Sequence, residues 1–248
     1  MNPLMIDNST ETKSPIIVAL DYNNEHDVLN FISKVSPSVC RLKVGKELFT
    51  ACGPKIVEKL VLSGYDVFLD LKFHDIPNTV YNACKVASEL GVWMLNVHCS
   101  GGKKMMSDAV HAINDSTHKP LLIGVTILTS MSQDDFNEIG GHGELKTYVT
   151  NLAKLAHSSG LDGVVCSALE ASIIKQNTAN NFLTVTPGIR LQHNDKDVPT
   201  MKDDQTRIMH PIDAIQNKAD YLVIGRPITQ AIDPYSTLLT IISEIKES

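Results

Sequence analysis

The sequence predicts a single-domain α/β protein with the architecture of a (β/α)8 TIM barrel, because short apolar runs recur along the chain and helical patterns separate them. Near-continuous apolar runs are typical of parallel strands that are buried on both faces. Eight such units in about 230 residues fit a closed barrel better than an open doubly wound sheet. The candidate strands are residues 16–21, 40–45, 66–72, 93–98, 121–128, 162–167, 182–187 and 221–225.

The segments between these runs predict the helices and the domain limits. Residues 28–35 and 56–64 carry apolar side chains at the spacing of an amphipathic helix, and Gly64 closes the second pattern. Residues 1–14 are polar and predict a loose tail before a single catalytic domain at 15–248. Residues 191–206 are polar and aperiodic, which predicts a long and functional loop after the seventh strand.

Composition excludes several classes of protein. The chain has 248 residues, 43% of them hydrophobic, and 22 Lys and Arg against 28 Asp and Glu, for a net charge of −6. This acidic balance argues against nucleic-acid binding, and the apolar runs are shorter than the roughly 20 residues that cross a membrane. Five scattered cysteines without a CxxC pair suit a reducing compartment and suggest no metal site. We therefore expect a cytoplasmic protein with neither a membrane nor a nucleic acid as partner.

Polar side chains stand at the carboxyl ends of the predicted strands, where barrel enzymes build their active sites. Asp70 and Lys72 share one face of the third strand by alternation, and Lys43 on the second strand can approach them. Charges inside a barrel are costly unless they are paired, so these three predict a compensated network at the barrel mouth. For any one of these charged residues taken alone, the alternative is a structural role: it lies at a strand end and reaches water, or it caps the following helix. Other polar residues at strand ends are Asp21, Asn96, His98, Thr126 and Thr129; His98 and the nearby His74 are interpreted as structural.

A second group of candidate residues follows the last two strands, which is the usual phosphate site of this fold. In TPGIR (186–190) and IGRPITQ (224–230), the glycines Gly188 and Gly225 allow close backbone approach. Arg190 and Arg226 present guanidinium groups suited to phosphate oxygens, although surface arginines on a structural turn are an alternative.

The two groups together predict an enzyme that acts on a small phosphorylated substrate. The sequence has no metal-ligand spacing, no nucleophile elbow and no GxGxxG after the first strand, so we expect neither a metal nor an organic cofactor. A lysine flanked by carboxylates stays protonated, which suits the protonation of a carbanion.

Several longer stretches closely resemble the orotidine 5′-phosphate decarboxylase family of the bacterial type. They include DLKFHDIPNT (70–79), LTSM (128–131), TPGIR (186–190) and VIGRPIT (223–229), and the resemblance spans about residues 15–242. It implies a homodimeric barrel that converts orotidine 5′-monophosphate to UMP and CO2, the last step of de novo pyrimidine synthesis, without a cofactor.

The resemblance also implies residue roles. Lys43, Asp70, Lys72 and the partner subunit's Asp75 would form a charged catalytic array in which Lys72 protonates C6 of the base. Thr79 would reach the ribose across the dimer, Ser130 is an alternative to Thr129 as the base contact, and the 191–206 loop would act as a lid. The implied substrate-binding residues are Asp21, Lys43, Thr79, Thr129, Pro187, Arg190, Gln205, Gly225 and Arg226.

Two other functions remain open at this point. A sugar-phosphate aldolase or decarboxylase of the same superfamily would bind Mg²⁺ through additional carboxylates, but the second strand supplies Lys43, a cation, where such a site needs a carboxylate. A non-catalytic barrel that only binds a nucleotide would need the phosphate site and not the buried charges.

Overall fold

A closed barrel of eight parallel strands, ordered β1 to β8 around the ring, is the centre of the computed structural model, which describes residues 14–191 and 208–247. The predicted fold is thus confirmed, and each predicted strand has its counterpart. The fifth and the sixth are clearly shorter than predicted, since they end at Val125 and Val165. The strands are β1 (Ile16–Ala19), β2 (Arg41–Gly45), β3 (Val67–Phe73), β4 (Met94–His98), β5 (Leu121–Val125), β6 (Gly163–Val165), β7 (Leu183–Thr186) and β8 (Tyr221–Ile224).

Helices surround the barrel and present their apolar faces to it. In the first of them, Val28 and Phe31 are buried, and the Asn24 side chain caps the helix by accepting a hydrogen bond from the Asp27 amide. The helices are α1 (Glu25–Ile32), α2 (Lys46–Cys52), α3 (Pro54–Leu62), α4 (Pro77–Ser88), α5 (Gly102–Asn114), α6 (Gln133–Glu138), α7 (Leu145–Ser158), α8 (Ala171–Asn177), α9 (Pro211–Gln216), α10 (Arg226–Thr229) and α11 (Pro234–Lys246).

Strand alternation divides the core into two layers. In β1, Ile16 and Val18 belong to the layer between strands and helices, whereas Ile17 and Ala19 belong to the barrel interior. The interior layer places a packed apolar floor beneath the barrel mouth. Its buried members are Ile17, Ala19, Phe68, Met94, Ile123, Val185 and Val223.

The amino-terminal end of the barrel is closed by a buried arginine. Arg41 begins β2, and its guanidinium carbon lies 4.6 Å from the ring centre of Trp93 and 5.2 Å from that of Tyr221. Its Nε is 3.2 Å from Asp66 Oδ2, so the charge is both stacked and paired. With this end filled, the barrel is accessible from the carboxyl ends of the strands.

The predicted tail coincides with the edge of the described chain. Residues 1–13 lie outside the described residues, but Ser14, assigned to the tail, is buried and its Oγ accepts a hydrogen bond from the Ile16 amide. Among residues 14–191 and 208–247, no helix combines the length and the apolar character of a membrane span.

Candidate active site

A cavity of about 590 Å³ opens at the carboxyl ends of the strands. Its apolar lining includes Phe68, Val165 and Val223, and its polar lining includes two residues to which the sequence analysis gave no role, Glu47 and Gln230. Most predicted site residues line this one cavity: Asp21, Lys43, Asp70, Lys72, Thr129, Ser130, Pro187, Arg190, Gly225 and Arg226.

Asp70 is the centre of the charged array, with a different lysine at each carboxylate oxygen. Lys72 Nζ lies 2.6 Å from Oδ1, and Lys43 Nζ lies 3.5 Å from Oδ2. Lys43 Nζ is also 3.8 Å from Asp21 Oδ1. Gly45 pairs with Asp70 across β2 and β3, and a Cβ added to Gly45 would lie 3.2 Å from Lys43 Nζ. The glycine therefore leaves the space that the ammonium group of Lys43 occupies.

The electrostatic environment keeps Asp70 ionised. Burial by itself would raise the pKa of Asp70, but the positive charges of Lys43 and Lys72 and hydrogen bonds from Lys72 and Asn96 lower it further than burial raises it. The net result is a pKa below the ordinary value of 3.8. A carboxylate that is 8% exposed thus carries a full negative charge at neutral pH.

The backbone of β3 departs from regular alternation where it carries Asp70 and Lys72. The register with β4 shifts between Leu69 and Phe73, and Lys72 adopts a left-handed φ of 54°. Such a conformation costs a residue with a side chain roughly 1–2 kcal/mol. Asp70 and Lys72 do meet as predicted, but an irregular strand brings them together rather than the regular alternation that was assumed.

Asn96 of β4 lies against this irregular stretch and was not among the predicted site residues. Its Nδ2 donates a hydrogen bond to Asp70 Oδ1 at 2.6 Å, and its Oδ1 accepts one from the Lys72 amide at 2.8 Å. A polar residue in an otherwise apolar strand was the available signal, but its partners depend on the register shift.

The loops after β7 and β8 place Arg190 and Arg226 on the side of the barrel mouth that lies opposite β3. Gly188 has a φ of 80°. Its carbonyl oxygen accepts a hydrogen bond from the Met209 amide at 3.2 Å, and the Arg190 amide donates one to the Met209 carbonyl oxygen at 3.1 Å. Arg226 is the first residue of α10 and follows Gly225, at which an added Cβ would lie 3.1 Å from Asp21 Oδ2. Gln205 and all but Leu191 of the 191–206 loop lie outside the described residues.

Two predicted residues do not line the cavity of their own chain. Asp75, between β3 and α4, is exposed, and its Oδ1 accepts a hydrogen bond from the Ile76 amide at 2.6 Å. Thr79, in the first turn of α4, is also exposed. Both were expected to serve the site of a partner subunit, and that expectation stays a prediction.

The two histidines that were interpreted as structural form a ring contact beside the site. The ring centres of His74 and His98 are 5.3 Å apart. Burial, followed by the neighbouring His74, Lys46 and Lys72, lowers the pKa of His98 to about 4, so its imidazole is neutral at pH 7. Within residues 14–191 and 208–247, no group of three His, Cys, Asp or Glu side chains is arranged to hold a metal ion.

The parallel barrel, with paired charges at the carboxyl ends of its strands, defines an enzyme of the (β/α)8 class. A family model described as "Orotidine 5'-phosphate decarboxylase / HUMPS family" matches residues 14–241. The chain belongs to this family, as the sequence resemblance predicted.

Individual relatives agree with the family match. The chain is 52% identical over 239 residues to the orotidine 5'-phosphate decarboxylase of Neisseria meningitidis serogroup A, covering 96% of this chain and 95% of that protein. It is 55% identical over 228 residues to the protein of the same name from Tolumonas auensis, covering 92% and 96%. The crystal structure of orotidine 5'-phosphate decarboxylase from Lactobacillus acidophilus matches with a TM-score of 0.82 at 38% identity, covering 94% of this chain and 99% of that one.

The lowered pKa of Asp70 predicts how the stability of the protein depends on pH. Because the folded-state pKa lies below the unfolded-state value, ionised Asp70 stabilises the fold above about pH 4 and this contribution is lost as the pH falls through the folded-state pKa. Asp70→Asn removes the carboxylate that lies 2.6 Å from Lys72 Nζ and leaves Lys43 with the longer contact of 3.8 Å to Asp21, so it should cost about 3–5 kcal/mol of unfolding free energy at neutral pH. Urea unfolding of both proteins between about pH 7 and pH 3 should show this difference shrinking below about pH 4.

The matched control is Asp108→Asn, because Asp108 forms an exposed ion pair with Lys104 at 3.1 Å. That substitution should cost less than about 1 kcal/mol at any pH in this range. A stability difference for Asp70→Asn that stays constant down to pH 3 would show that folding does not lower the pKa of Asp70.

Proposed function

We propose that this protein decarboxylates orotidine 5′-monophosphate to UMP and CO2, the last step of de novo pyrimidine synthesis. The observation that carries the proposal is the Lys43–Asp70–Lys72 array in the cavity at the carboxyl ends of β2 and β3. The relatives from Neisseria meningitidis and Tolumonas auensis are both named orotidine 5'-phosphate decarboxylase, which supports the same reaction.

In the proposed mechanism, the array stabilises charge that develops on the base. Cleavage of the bond between C6 and the carboxylate releases CO2 and leaves the electron pair on C6. The ammonium group of Lys72 attracts this charge more strongly as it develops and then donates a proton to C6, which yields UMP. The contact of 2.6 Å to Asp70 Oδ1 orients Lys72 Nζ for this task, and Asp70 would repel the departing carboxylate.

The remaining site residues are proposed to hold the rest of the substrate. Arg190 and Arg226 would bind the phosphate with Pro187, Gly225 and Gln205 nearby. Asp21 and the partner's Thr79 would contact the ribose. Thr129, or the adjacent Ser130, would contact the base; both line the cavity.

We propose that the reaction needs neither a metal nor an organic cofactor, because Lys72 supplies both the positive charge and the proton. The charge array also distinguishes this proposal from a barrel that only binds a nucleotide, which would not need buried and mutually paired charges. We further propose a homodimer in the cytoplasm, where the free cysteines of the chain would stay reduced.

Absorbance loss of orotidine 5′-monophosphate, followed with and without EDTA, tests the function. The wild-type protein should turn the nucleotide over equally in both conditions, and Lys72→Ala should lose at least ~10²–10³-fold in kcat/KM because it removes a preorganised charge. Lys104→Ala, which removes an exposed lysine outside the cavity, is the control and should behave as wild type.

Three other outcomes of this assay would contradict parts of the proposed function. Absence of turnover by the wild-type protein with retained UMP binding would favour the binding-only barrel. Inhibition by EDTA would favour the metal-dependent rival. A Lys72→Ala variant that retains more than about a tenth of wild-type turnover would remove Lys72 from the proposed role.

If Arg226 binds the phosphate, its contribution to kcat/KM should depend on whether the substrate carries a phosphate group. Arg226→Ala is expected to lose roughly 2–5 kcal/mol of transition-state binding for the nucleotide, as for one partner of a buried charge pair. The same variant should leave kcat/KM for the phosphate-free nucleoside unchanged, so the nucleoside is the internal control. Wild-type discrimination between nucleotide and nucleoside in the variant would contradict the assignment.

Complementation tests whether Asp75 serves the partner's site. Lys72→Ala and Asp75→Asn should each be inactive as homodimers. When they are unfolded together and refolded, roughly half of the dimers are mixed, and each mixed dimer has one intact site, so activity should return to about a quarter of wild type. Each variant refolded alone is the control. If Asp75 serves its own chain, every site carries one lesion and mixing restores no activity.

A further inference from the structure

We propose that Asn96 is the positioning residue that sets the geometry of Asp70 and Lys72; the kinetic part of this inference rests on the proposed function. Asn96 does not line the cavity and is fully buried. It would therefore act on the reaction only through the two residues to which it is hydrogen-bonded.

The first argument is the pairing of β3 with β4. Leu69 pairs with Leu95 and Phe73 pairs with Val97, so three residues of β3, namely 70 to 72, lie opposite Asn96 alone. In a regular parallel ladder each strand advances by the same number of residues. The extra residues interrupt the ladder, and their backbone groups need other partners.

The second argument is that the Asn96 side chain replaces part of this ladder. Its Oδ1 accepts the hydrogen bond of the Lys72 amide at 2.8 Å, and its Nδ2 donates to Asp70 Oδ1 at 2.6 Å. One primary amide thus ties the backbone of Lys72 to the side chain of Asp70. A carboxylate in this position could only accept, and an aliphatic side chain could do neither.

The third argument is the effect of these bonds on the array. Asp70 Oδ1 accepts hydrogen bonds from both Lys72 Nζ and Asn96 Nδ2. These two bonds fix the orientation of the carboxylate, so that Oδ2 faces Lys43 Nζ at 3.5 Å. The bond to the Lys72 amide supports the left-handed backbone from which the Lys72 side chain departs. Asn96 therefore orients the carboxylate and the ammonium group together.

Two substitutions separate positioning from general damage. Asn96→Leu keeps a side chain of similar length and removes both hydrogen bonds, so kcat should fall about 100-fold, as for a displacement of reacting groups by about 1 Å. KM should change little, because the remote phosphate contacts are unaltered. The control is Thr184→Val, because Thr184 is also fully buried and its hydroxyl donates hydrogen bonds to Lys218 O and Asp220 Oδ2 at the opposite end of the barrel. This substitution should leave kcat unchanged.

Asn96→Asp adds a pH signature that a packing defect would not produce. When protonated, the introduced carboxyl group can still donate to Asp70; when ionised, it cannot donate and repels Asp70. The ratio of its kcat to that of the wild type should therefore rise as the pH is lowered from about 8 to 5. For Asn96→Leu the ratio should stay constant over this range.

A crystal structure of the Asn96→Leu variant provides a readout that does not depend on turnover. We expect Lys72 Nζ to move from its contact with Asp70 Oδ1. An unmoved array, or kcat within about threefold of wild type, would overturn the proposal. If the wild-type protein does not decarboxylate the nucleotide, the proposed function fails, while a displaced array in the variant would still support positioning by Asn96. If Asn96→Leu does not fold, the pH dependence and structure of Asn96→Asp decide instead.

Discussion

The contact of one buried carboxylate with two lysines is the interaction on which the site depends. Asp70 has Lys72 Nζ at 2.6 Å and Lys43 Nζ at 3.5 Å, and these opposite charges offset the cost of burying the carboxylate. Because the partners come from β2 and β3, the pairing requires these strands to be adjacent and correctly registered. The electrostatics of the site and the topology of the fold are therefore coupled.

The barrel provides the rigidity that such an array needs. Below the charges, the interior is filled by apolar side chains such as Phe68 and Val223, and Arg41 closes the opposite end against Trp93 and Tyr221. Apolar surroundings beneath the lysines strengthen their interaction with Asp70. A preorganised positive charge in such surroundings needs little rearrangement when negative charge develops on a bound substrate.

The backbone of β3 is irregular at the same residues that carry the charges. Lys72 has a left-handed backbone, and the register of β3 slips against β4 where Asn96 supplies hydrogen bonds from its side chain. A regular strand would pair its own backbone groups and leave no place for this amide. Strain of this kind persists only where the surrounding structure holds it, and here it coincides with the charged residues.

Apolar patterning by itself determined the eight strands and the barrel, because period and spacing follow directly from which residues must be buried. The sequence also identified Lys43, Asp70 and Lys72 as one cluster, since charges on buried strands have to be paired. The role of Asn96 as their hydrogen-bond partner and the left-handed Lys72 were decided only by tertiary structure. Both depend on the register between strands whose residues are more than twenty positions apart in sequence, and local pattern carries no information about such a register.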